Sequence, residues 1–196
     1  MARVPSSSLL IPVARESNLY LTNKFFKPSV LRAATLAALS PLPGQMLWDI
    51  GAGSGAVAIE WLRAEPSSDA IAFEKSIGKC RMIKRNAKKL GVPRLKVLHC
   101  IAPTNFSKIE RAPDAVFLGG SVSDFNLLKF SWECLKISGR FVANAVTVEA
   151  QKSLTELRAE IGGDLVRMSI ARSDSIGQFT ALRPMMDVLQ LKVKKI

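Results

Sequence analysis

The feature that most constrains this chain is a run of glycines at alternate positions, Gly51, Gly53 and Gly55. A short apolar segment precedes the run and a helical apolar pattern follows it, so the glycines lie in a turn between a buried strand and a helix. Glycine accepts left-handed backbone conformations, and the missing Cβ atom lets a ligand approach the main chain. Because ligands of open α/β sheets bind beyond the carboxyl ends of the strands, the run predicts a small-molecule site.

The spacing of the glycines narrows the kind of site. The pattern is G-x-G-x-G and not the G-x-G-x-x-G of the dinucleotide fingerprint, and no G-x-x-x-x-G-K-[S/T] phosphate loop occurs in the chain. Asp49 stands one residue before the end of the preceding strand, where we expect it either to receive a cationic amino group or to order the loop. Ala52 and Ser54 complete the loop and are predicted to contact the same ligand.

Strand-like and helix-like segments alternate along most of the chain. Short apolar runs predict five strands, and apolar residues three to four positions apart predict the helices between them. The tail instead predicts two long strands joined around residues 174–177. This order favours an α/β fold, a mainly parallel sheet with helices on both faces and a C-terminal antiparallel hairpin. The predicted strands are 45–50, 70–73, 95–100, 114–118, 140–146, 165–171 and 179–193, and the predicted helices begin at 54 and then span 76–90, 124–137 and 149–161.

Further candidate residues follow the other strands at the same edge of the predicted sheet. Glu74 ends the second strand about twenty residues after the glycines, as does the acidic residue that binds a ribose in nucleotide sites. A surface glutamate paired with nearby lysines is the alternative. Ile101 and Ala102 follow the third strand, where their backbone groups are expected to bond an adenine ring. The candidate substrate-pocket residues, for which plain turns are the alternative, are Gly119, Gly120, Ser121, Asn144 and Thr147.

Composition and length exclude several classes of protein. The chain has 196 residues, 48% hydrophobic and 22% charged, which is typical of one globular domain. No apolar stretch approaches the roughly 20 residues needed to cross a bilayer, and residues 1–13 lack the features of a secretory signal, so a cytoplasmic location is expected. The three cysteines show no metal-ligand or redox spacing, so we expect buried thiols and no metal site.

The chain is strongly basic, with 28 Lys and Arg against 16 Asp and Glu and a formal net charge of +12. Such a charge favours nucleic acid, an anionic membrane or a small polycarboxylate, and it is equally explained by a solvated basic surface. His99, the one histidine, lies inside a predicted strand and is expected to be a packed or edge residue rather than a general base. Six cations on the helix 76–90 predict its solvated face: Lys79, Arg81, Lys84, Arg85, Lys88 and Lys89.

The order of elements is that of class I, Rossmann-like methyltransferases, and several segments resemble one family among them. The glycine run 47–61, Asp-Ala-Val-Phe-Leu-Gly-Gly at 114–120 and Val-Ala-Asn-Ala-Val-Thr-Val-Glu at 142–149 are similar to cobalamin-pathway enzymes that methylate C15 of a precorrin and decarboxylate its C12 acetate chain. The similarity extends to 32–36, 102–103, Gly177 and 183–190. Such domains form the C-terminal half of precorrin-6Y C5,15-methyltransferase or stand alone.

The resemblance implies a class I methyltransferase domain over residues 27–196. Residues 1–26 stand outside the pattern of alternating strands and helices and are expected to form an N-terminal arm or lid. The resemblance implies S-adenosylmethionine as methyl donor, with the three glycines, Glu74 and Ala102 as cofactor contacts, and it assigns no residue to the decarboxylation. It also implies a precorrin substrate and a homo-oligomer of the tetrameric kind found in the family. Since no C5-methylating domain is found in this sequence, we expect either a separate C5-methylating subunit or a longer native chain.

Two other functions stay open. The net charge and the basic helix suit an RNA methyltransferase, although the Asn/Asp-Pro-Pro-aromatic signature and an aromatic stacking platform are lacking, which makes nucleic acid an unexpected partner. The other is a cofactor-binding scaffold that has lost catalysis. It is motivated by Phe26-Lys27-Pro28, which departs from the family pattern before the first helix.

Overall fold

The computed structural model describes residues 29–104 and 106–196. The predicted arm or lid over 1–26 and the segment Phe26-Lys27-Pro28 lie outside these residues. The helices are α1 (Ser29–Leu39), α2 (Ala56–Ala64), α3 (Ile77–Lys89), α4 (Phe125–Glu133) and α5 (Val148–Ile161), with a short 3-10 helix at Phe106–Lys108. The strands are β1 (Met46–Ile50), β2 (Asp69–Glu74), β3 (Lys96–His99), β4 (Ala115–Leu118), β5 (Arg140–Ala145), β6 (Asp164–Met168), β7 (Ala171–Ile176), β8 (Phe179–Pro184) and β9 (Val188–Lys194).

Seven strands form one sheet in the order β3-β2-β1-β4-β5-β9-β6. Strands β1 to β5 are parallel to one another, whereas β9 runs antiparallel to both β5 and β6. The chain moves outward from β1 to β3 on one side and then crosses to β4 on the other. The order of strands therefore reverses beside β1, which is the position where sheets of this type bind ligands. The predicted mainly parallel sheet with an antiparallel edge is confirmed.

Apolar cores cover both faces of the sheet. Leu47 of β1 packs into the core that α1, α2 and α3 share, whereas its neighbour Trp48 packs into the core of α4 and α5. This alternation is the two-residue period of a strand that is buried on both faces. Fully burying an aliphatic or aromatic side chain contributes about 1.5–3 kcal/mol, so the two cores together hold the strand ends in fixed positions.

The starts of three helices are fixed by side chains that cap them. The Ser76 side chain accepts a hydrogen bond from the Lys79 N–H, and Asp124 accepts one from the Leu127 N–H. Thr147 caps α5 through the Ala150 N–H. Such caps satisfy backbone donors that have no partner inside the helix. The loops before α3, α4 and α5 therefore end at defined residues on the same edge of the sheet.

The tail differs from the prediction of two long strands. It forms four strands, of which β6 and β9 extend the main sheet while β7 and β8 form a separate two-stranded ribbon. Two residues join β6 to β7, whereas three residues, Met185, Met186 and Asp187, join β8 to β9. The side of the hairpin formed by β8 and β9 therefore carries one extra residue, and the hairpin bends there as at a β-bulge. The turn is Gly177-Gln178, later than predicted, because Asp174 still pairs with Ala181 inside the ribbon.

No helix within residues 29–104 and 106–196 is long and apolar enough to cross a membrane. Cys80 is buried, and Cys100 and Cys134 are half-buried. Burial raises the pKa of the Cys80 and Cys134 thiols, which keeps them protonated and unreactive. Across the described ranges, no group of three or more His, Cys, Asp or Glu side chains is placed to hold a metal ion.

Candidate functional site

The glycine loop folds back over the end of β2. The N–H groups of Gly51 and Ala52 both donate to the carbonyl of Phe73, at 3.0 and 3.1 Å. A Cβ atom added at Gly51 would lie 3.1 Å from the Cα atom of Gly120, so the loop after β1 and the loop after β4 meet main chain to main chain. The two loops that flank the reversal of strand order are therefore in direct contact.

Gly53 is the point at which the loop opens toward solvent. Its φ is +61°, and a Cβ atom added there would meet no atom closer than 4.0 Å. At Gly55, by contrast, an added Cβ atom would lie 2.7 Å from the Ile83 side chain of α3. Gly55 is therefore required by internal packing, whereas the space beside Gly53 is free for a ligand that contacts the backbone.

Glu74 connects the glycine loop to α3. Its carboxylate is buried, with 4% of the residue exposed. One carboxylate oxygen accepts the Gly53 N–H and the other accepts the Ser76 N–H, each at 3.0 Å. This is not the surface glutamate of the alternative interpretation. Each carboxylate oxygen has a second lone pair, so a carboxylate held in this way can still accept hydrogen bonds from a ligand.

Asp49 lies under the start of α2. Its carboxylate accepts the Ala58 N–H at 3.1 Å, and only 1% of the residue is exposed. The residue before α2 is Gly55, which has no side chain to cap the helix. A carboxylate at a helix N-terminus is stabilising, typically by about 0.3–1 kcal/mol. Asp49 therefore holds the first turn of α2, and its expected contact with a cationic amino group stays a prediction.

The segment after β3 begins beside Glu74. The Cys100 N–H donates to the Glu74 carbonyl at 3.1 Å, which brings this loop next to the glycine loop. The Ile101 side chain is 70% exposed, while Ala102 packs against the core. Phe106 anchors the far end of the loop, with its ring centroid 5.0 Å from that of Trp48. The structure therefore places the predicted adenine segment at the expected edge of the sheet.

The loop after β4 carries a backbone feature that sequence reasoning missed. Ser121, which follows Gly119 and Gly120, has a φ of +59°. A left-handed residue other than glycine costs roughly 1–2 kcal/mol and clusters at functional sites. The Ser121 carbonyl accepts the Asp124 N–H at 3.1 Å, and the Ser121 side chain is exposed. The loop thus holds a strained serine beside the glycine loop.

The two candidates after β5 lie in different surroundings. Asn144 is buried beneath α1: its amide donates to the Thr35 hydroxyl at 2.9 Å and accepts from the Gln190 amide at 2.8 Å. Thr147 is exposed and caps α5. The structure therefore brings the glycines, Glu74 and the loop after β4 together, while the Asn144 side chain faces α1.

A buried ion pair joins α1 to α2. Arg32 Nε and Glu60 Oε1 lie 3.0 Å apart, and their side chains are 3% and 4% exposed. Sequence reasoning missed this pair, together with Thr35 and Gln190. The signal was a charged residue inside an otherwise apolar helical pattern, at Arg32 in α1 and Glu60 in α2. Such residues are buried only when paired.

Two predictions about polar residues outside the site are confirmed. His99 is exposed on β3, the edge strand of the sheet, with its Nε2 atom 2.9 Å from the Lys75 carbonyl oxygen, so it is an edge residue. The six cations of α3 are all exposed.

The strand order, with a glycine loop at the reversal point and an acidic residue ending the next strand, defines a methyltransferase of the Rossmann-like fold, which solved methyltransferases share. The sequence profile of a family described as precorrin methyltransferase domain matches residues 19–195. The chain belongs to this family, as its motifs indicated.

Two curated proteins and one solved structure are similar to this chain. Precorrin-6Y C(5,15)-methyltransferase [decarboxylating] of Sinorhizobium sp is 43% identical over 160 residues, 82% of this chain and 38% of that protein. This chain therefore spans less than half of that relative's length. A Saccharolobus solfataricus protein whose name gives a cobalt-precorrin-6B C(15)-methyltransferase (decarboxylating) is 28% identical over 67% of this chain and 68% of its own. The solved C-terminal domain of precorrin-6Y C5,15-methyltransferase from Rhodobacter capsulatus superimposes with a TM-score of 0.85 at 35% identity, covering 93% of this chain and 97% of that domain.

Proposed function

We propose that this domain transfers a methyl group from S-adenosylmethionine to C15 of a precorrin in corrin-ring biosynthesis, with loss of carbon dioxide from the C12 acetate chain. The observation that carries the proposal is the family match over residues 19–195, which includes the glycine loop and Glu74. The name of the Saccharolobus relative supports C15 over C5, as does the match to a C-terminal domain over 97% of its length.

The geometry of the loops fits the proposed methyl donor. S-adenosylmethionine, when bound, supplies a methyl group activated by a positively charged sulfur. The open space beside Gly53 suits a ligand that contacts the backbone, and the fixed carboxylate of Glu74 suits a ribose diol. We assign the adenine to the backbone of Ile101 and Ala102. The proposed cofactor site also includes Gly51, Ala52, Ser54 and Gly55. Asp49 supports this site from beneath, through its hydrogen bond to the start of α2.

In the proposed reaction, the main role of the protein is to align the methyl donor with the acceptor carbon. Methyl transfer to a nucleophilic ring carbon is accelerated when the reacting atoms are held in line at short distance. We assign the substrate pocket to the loop after β4, in which Gly119 and Gly120 carry no side chain, with Ser121 and Thr147 at its border; the Gly120 backbone forms the wall of this pocket against Gly51. The Asn144 amide is held by Thr35 and Gln190 and is therefore not available to a substrate. We propose that Asn144 supports this pocket indirectly, by fixing the position of the end of β5.

We also propose that the chain forms a homo-oligomer of the tetrameric kind through the ribbon of β7 and β8. Apolar side chains on it are largely exposed, Phe179 by 80%, Leu182 by 72% and Ile176 by 57%. A two-stranded ribbon is marginally stable alone, and exposed apolar patches of this kind mark interfaces. In this scheme a separate C5-methylating subunit is a further partner. Light scattering of Phe179→Ser with Leu182→Ser tests the assembly, and an unchanged mass contradicts it.

The activity is tested with S-adenosylmethionine labelled in its methyl group. Incubation with an enzymatically prepared precorrin-6-type substrate should label the tetrapyrrole and release carbon dioxide in equal amounts. Transfer RNA, incubated in the same way, should stay unlabelled. Binding of S-adenosylmethionine without transfer to the precorrin would contradict the proposal and favour a scaffold, and labelled RNA would favour an RNA methyltransferase.

A further inference from the structure

Helix α3 concentrates positive charge without compensation. Its 13 residues, Ile77–Lys89, contain no Asp or Glu. In the part of the chain that the structure describes, none of its cations forms an ion pair within 4.0 Å. The basic face of α3, as we call this surface, consists of Lys79, Arg81, Lys84, Arg85, Lys88 and Lys89.

The arrangement of these cations works against the helix itself. Arg81 and Arg85 are four residues apart, as are Lys84 and Lys88, so like charges lie side by side on the exposed surface. Like charges at this spacing destabilise a helix. The opposite face, which includes Ile83 and Asn86, is fully buried. The helix is therefore held by its packing while its outer surface carries a repulsive charge cluster, and a polyanion would relieve that repulsion.

The inner face of the same helix touches the proposed cofactor site. The Asn86 amide donates to the Ser54 carbonyl of the glycine loop at 2.9 Å, and Ile83 packs against Gly55. The outer face therefore lies about one helix diameter, roughly 10–12 Å, from the loop. The field of the cations reaches the entrance of the site most strongly at low ionic strength, where the Debye length is about 30 Å at 0.01 M, and is partly screened at physiological ionic strength, where it is about 8 Å.

We propose that the basic face of α3 is a collecting surface that steers a polycarboxylated tetrapyrrole toward the site. The inference rests on the proposed function, because the substrate class comes from there. Fields of this kind raise association rates by about 10- to 1,000-fold. Helix α3 contains no aromatic side chain on which nucleic-acid bases would stack, and S-adenosylmethionine carries a positive sulfur that the field does not attract. A tetrapyrrole with several carboxylates is the ligand that this surface fits.

The test compares two variants that lose the same charge. The collecting variant is Arg81→Gln, Lys84→Gln, Arg85→Gln and Lys88→Gln. Its control, on α5 and β9, is Lys152→Gln, Arg158→Gln, Lys192→Gln and Lys194→Gln, where all four side chains are also exposed. Stopped-flow fluorescence measures the association rate of uroporphyrin, which carries eight carboxylates, at low and at high ionic strength. Calorimetry with S-adenosylmethionine and circular dichroism check that the site and the fold are retained.

We expect the collecting variant to bind uroporphyrin about tenfold more slowly than the control variant at low ionic strength, and the two rates to converge at high salt. In turnover assays kcat/KM falls and kcat is unchanged, because these side chains do not touch the reacting atoms. Equal rates in both variants with intact uroporphyrin binding overturn the collecting surface alone. If uroporphyrin binds neither the parent protein nor the two variants, the substrate class is overturned as well. A loss confined to oligouridine binding, measured in parallel, overturns the proposal in favour of nucleic acid.

Discussion

The N–H of Gly53 donates to the carboxylate of Glu74 at 3.0 Å, so the tip of the glycine loop is held by the residue that ends β2. The second carboxylate oxygen accepts the Ser76 N–H, which starts α3. One buried side chain thus sets the relative position of a loop, a strand end and a helix. Any ligand bound beside Gly53 meets a surface whose shape is fixed before binding.

We predict that Glu74→Gln weakens S-adenosylmethionine binding by at least about tenfold and destabilises the domain by about 1–3 kcal/mol. A glutamine has one acceptor oxygen, so either the Gly53 or the Ser76 N–H loses its partner. Glu65→Gln is the control, since Glu65 also accepts a backbone N–H, that of Ser67, but lies outside the site. Calorimetry and urea unfolding measure both effects, and equal behaviour of the two variants would contradict the role of Glu74.

Gly53→Val should abolish binding of S-adenosylmethionine, with a loss of stability that a matched variant shares. The matched variant is Gly44→Val, because Gly44 has a φ of +70° and open space around its missing Cβ, but lies before β1 at the opposite edge. Both variants bear the strain of a branched side chain at positive φ. If Gly44→Val loses cofactor affinity to the same degree, the strain and not the site explains the result.

Breaking the buried pair of Arg32 and Glu60 should destabilise the domain strongly. We expect Arg32→Met or Glu60→Leu alone to cost about 3–5 kcal/mol, because each removes one member of a buried ion pair. The combined variant Arg32→Met with Glu60→Leu should recover most of this loss. Thermal unfolding of all four proteins gives the coupling energy, and strictly additive losses would show that the pair does not act as a unit.

Asp114 should make stability fall in acid. Burial alone would raise the pKa of its carboxyl, but hydrogen bonds from the Lys136 ammonium and the Met46 N–H, with the nearby Arg111, hold the pKa below the ordinary 3.8. The ionised form is thus favoured in the folded state. Its contribution is present above about pH 4 and is lost as the pH falls through the lowered pKa, because the unfolded chain takes up the proton first.

Urea unfolding of Asp114→Asn measures this contribution. The variant should be less stable than the parent protein at neutral pH, and the difference should shrink as the pH falls below 4. Asp164→Asn, a change at an exposed aspartate, should show no such trend. A difference that stays constant with pH would mean that the Asp114 charge does not stabilise the fold.

The positions of the glycine loop and of Glu74 could be predicted from short sequence patterns. The glycine loop and Glu74 are set by two strand ends and the turn between strand and helix, and these patterns lie within a few residues. The network around Asn144 was not predicted, because Thr35 is 109 residues away in the chain and Gln190 is 46. A buried amide and a ligand-facing amide look alike in a sequence. Only the position of α1 distinguishes them.

The tail and Ser121 show two other limits. An alternating pattern predicts extended backbone, but the extra residue between β8 and β9 changes the pairing register without changing the pattern. Serine has no preference for positive φ, so its conformation at Ser121 arises from the packing of the neighbouring loop. Both features depend on contacts between segments, and the sequence of one segment does not contain them.

The main-chain contact between Gly51 and Gly120 makes the two loops a single wall. A methyl group on either residue would drive them apart, and no change in a neighbouring side chain can restore the lost space, because backbone stands on both sides. The two positions are therefore constrained as a pair. A ligand bound beside Gly53 therefore meets a partition that cannot widen without moving β1 relative to β4.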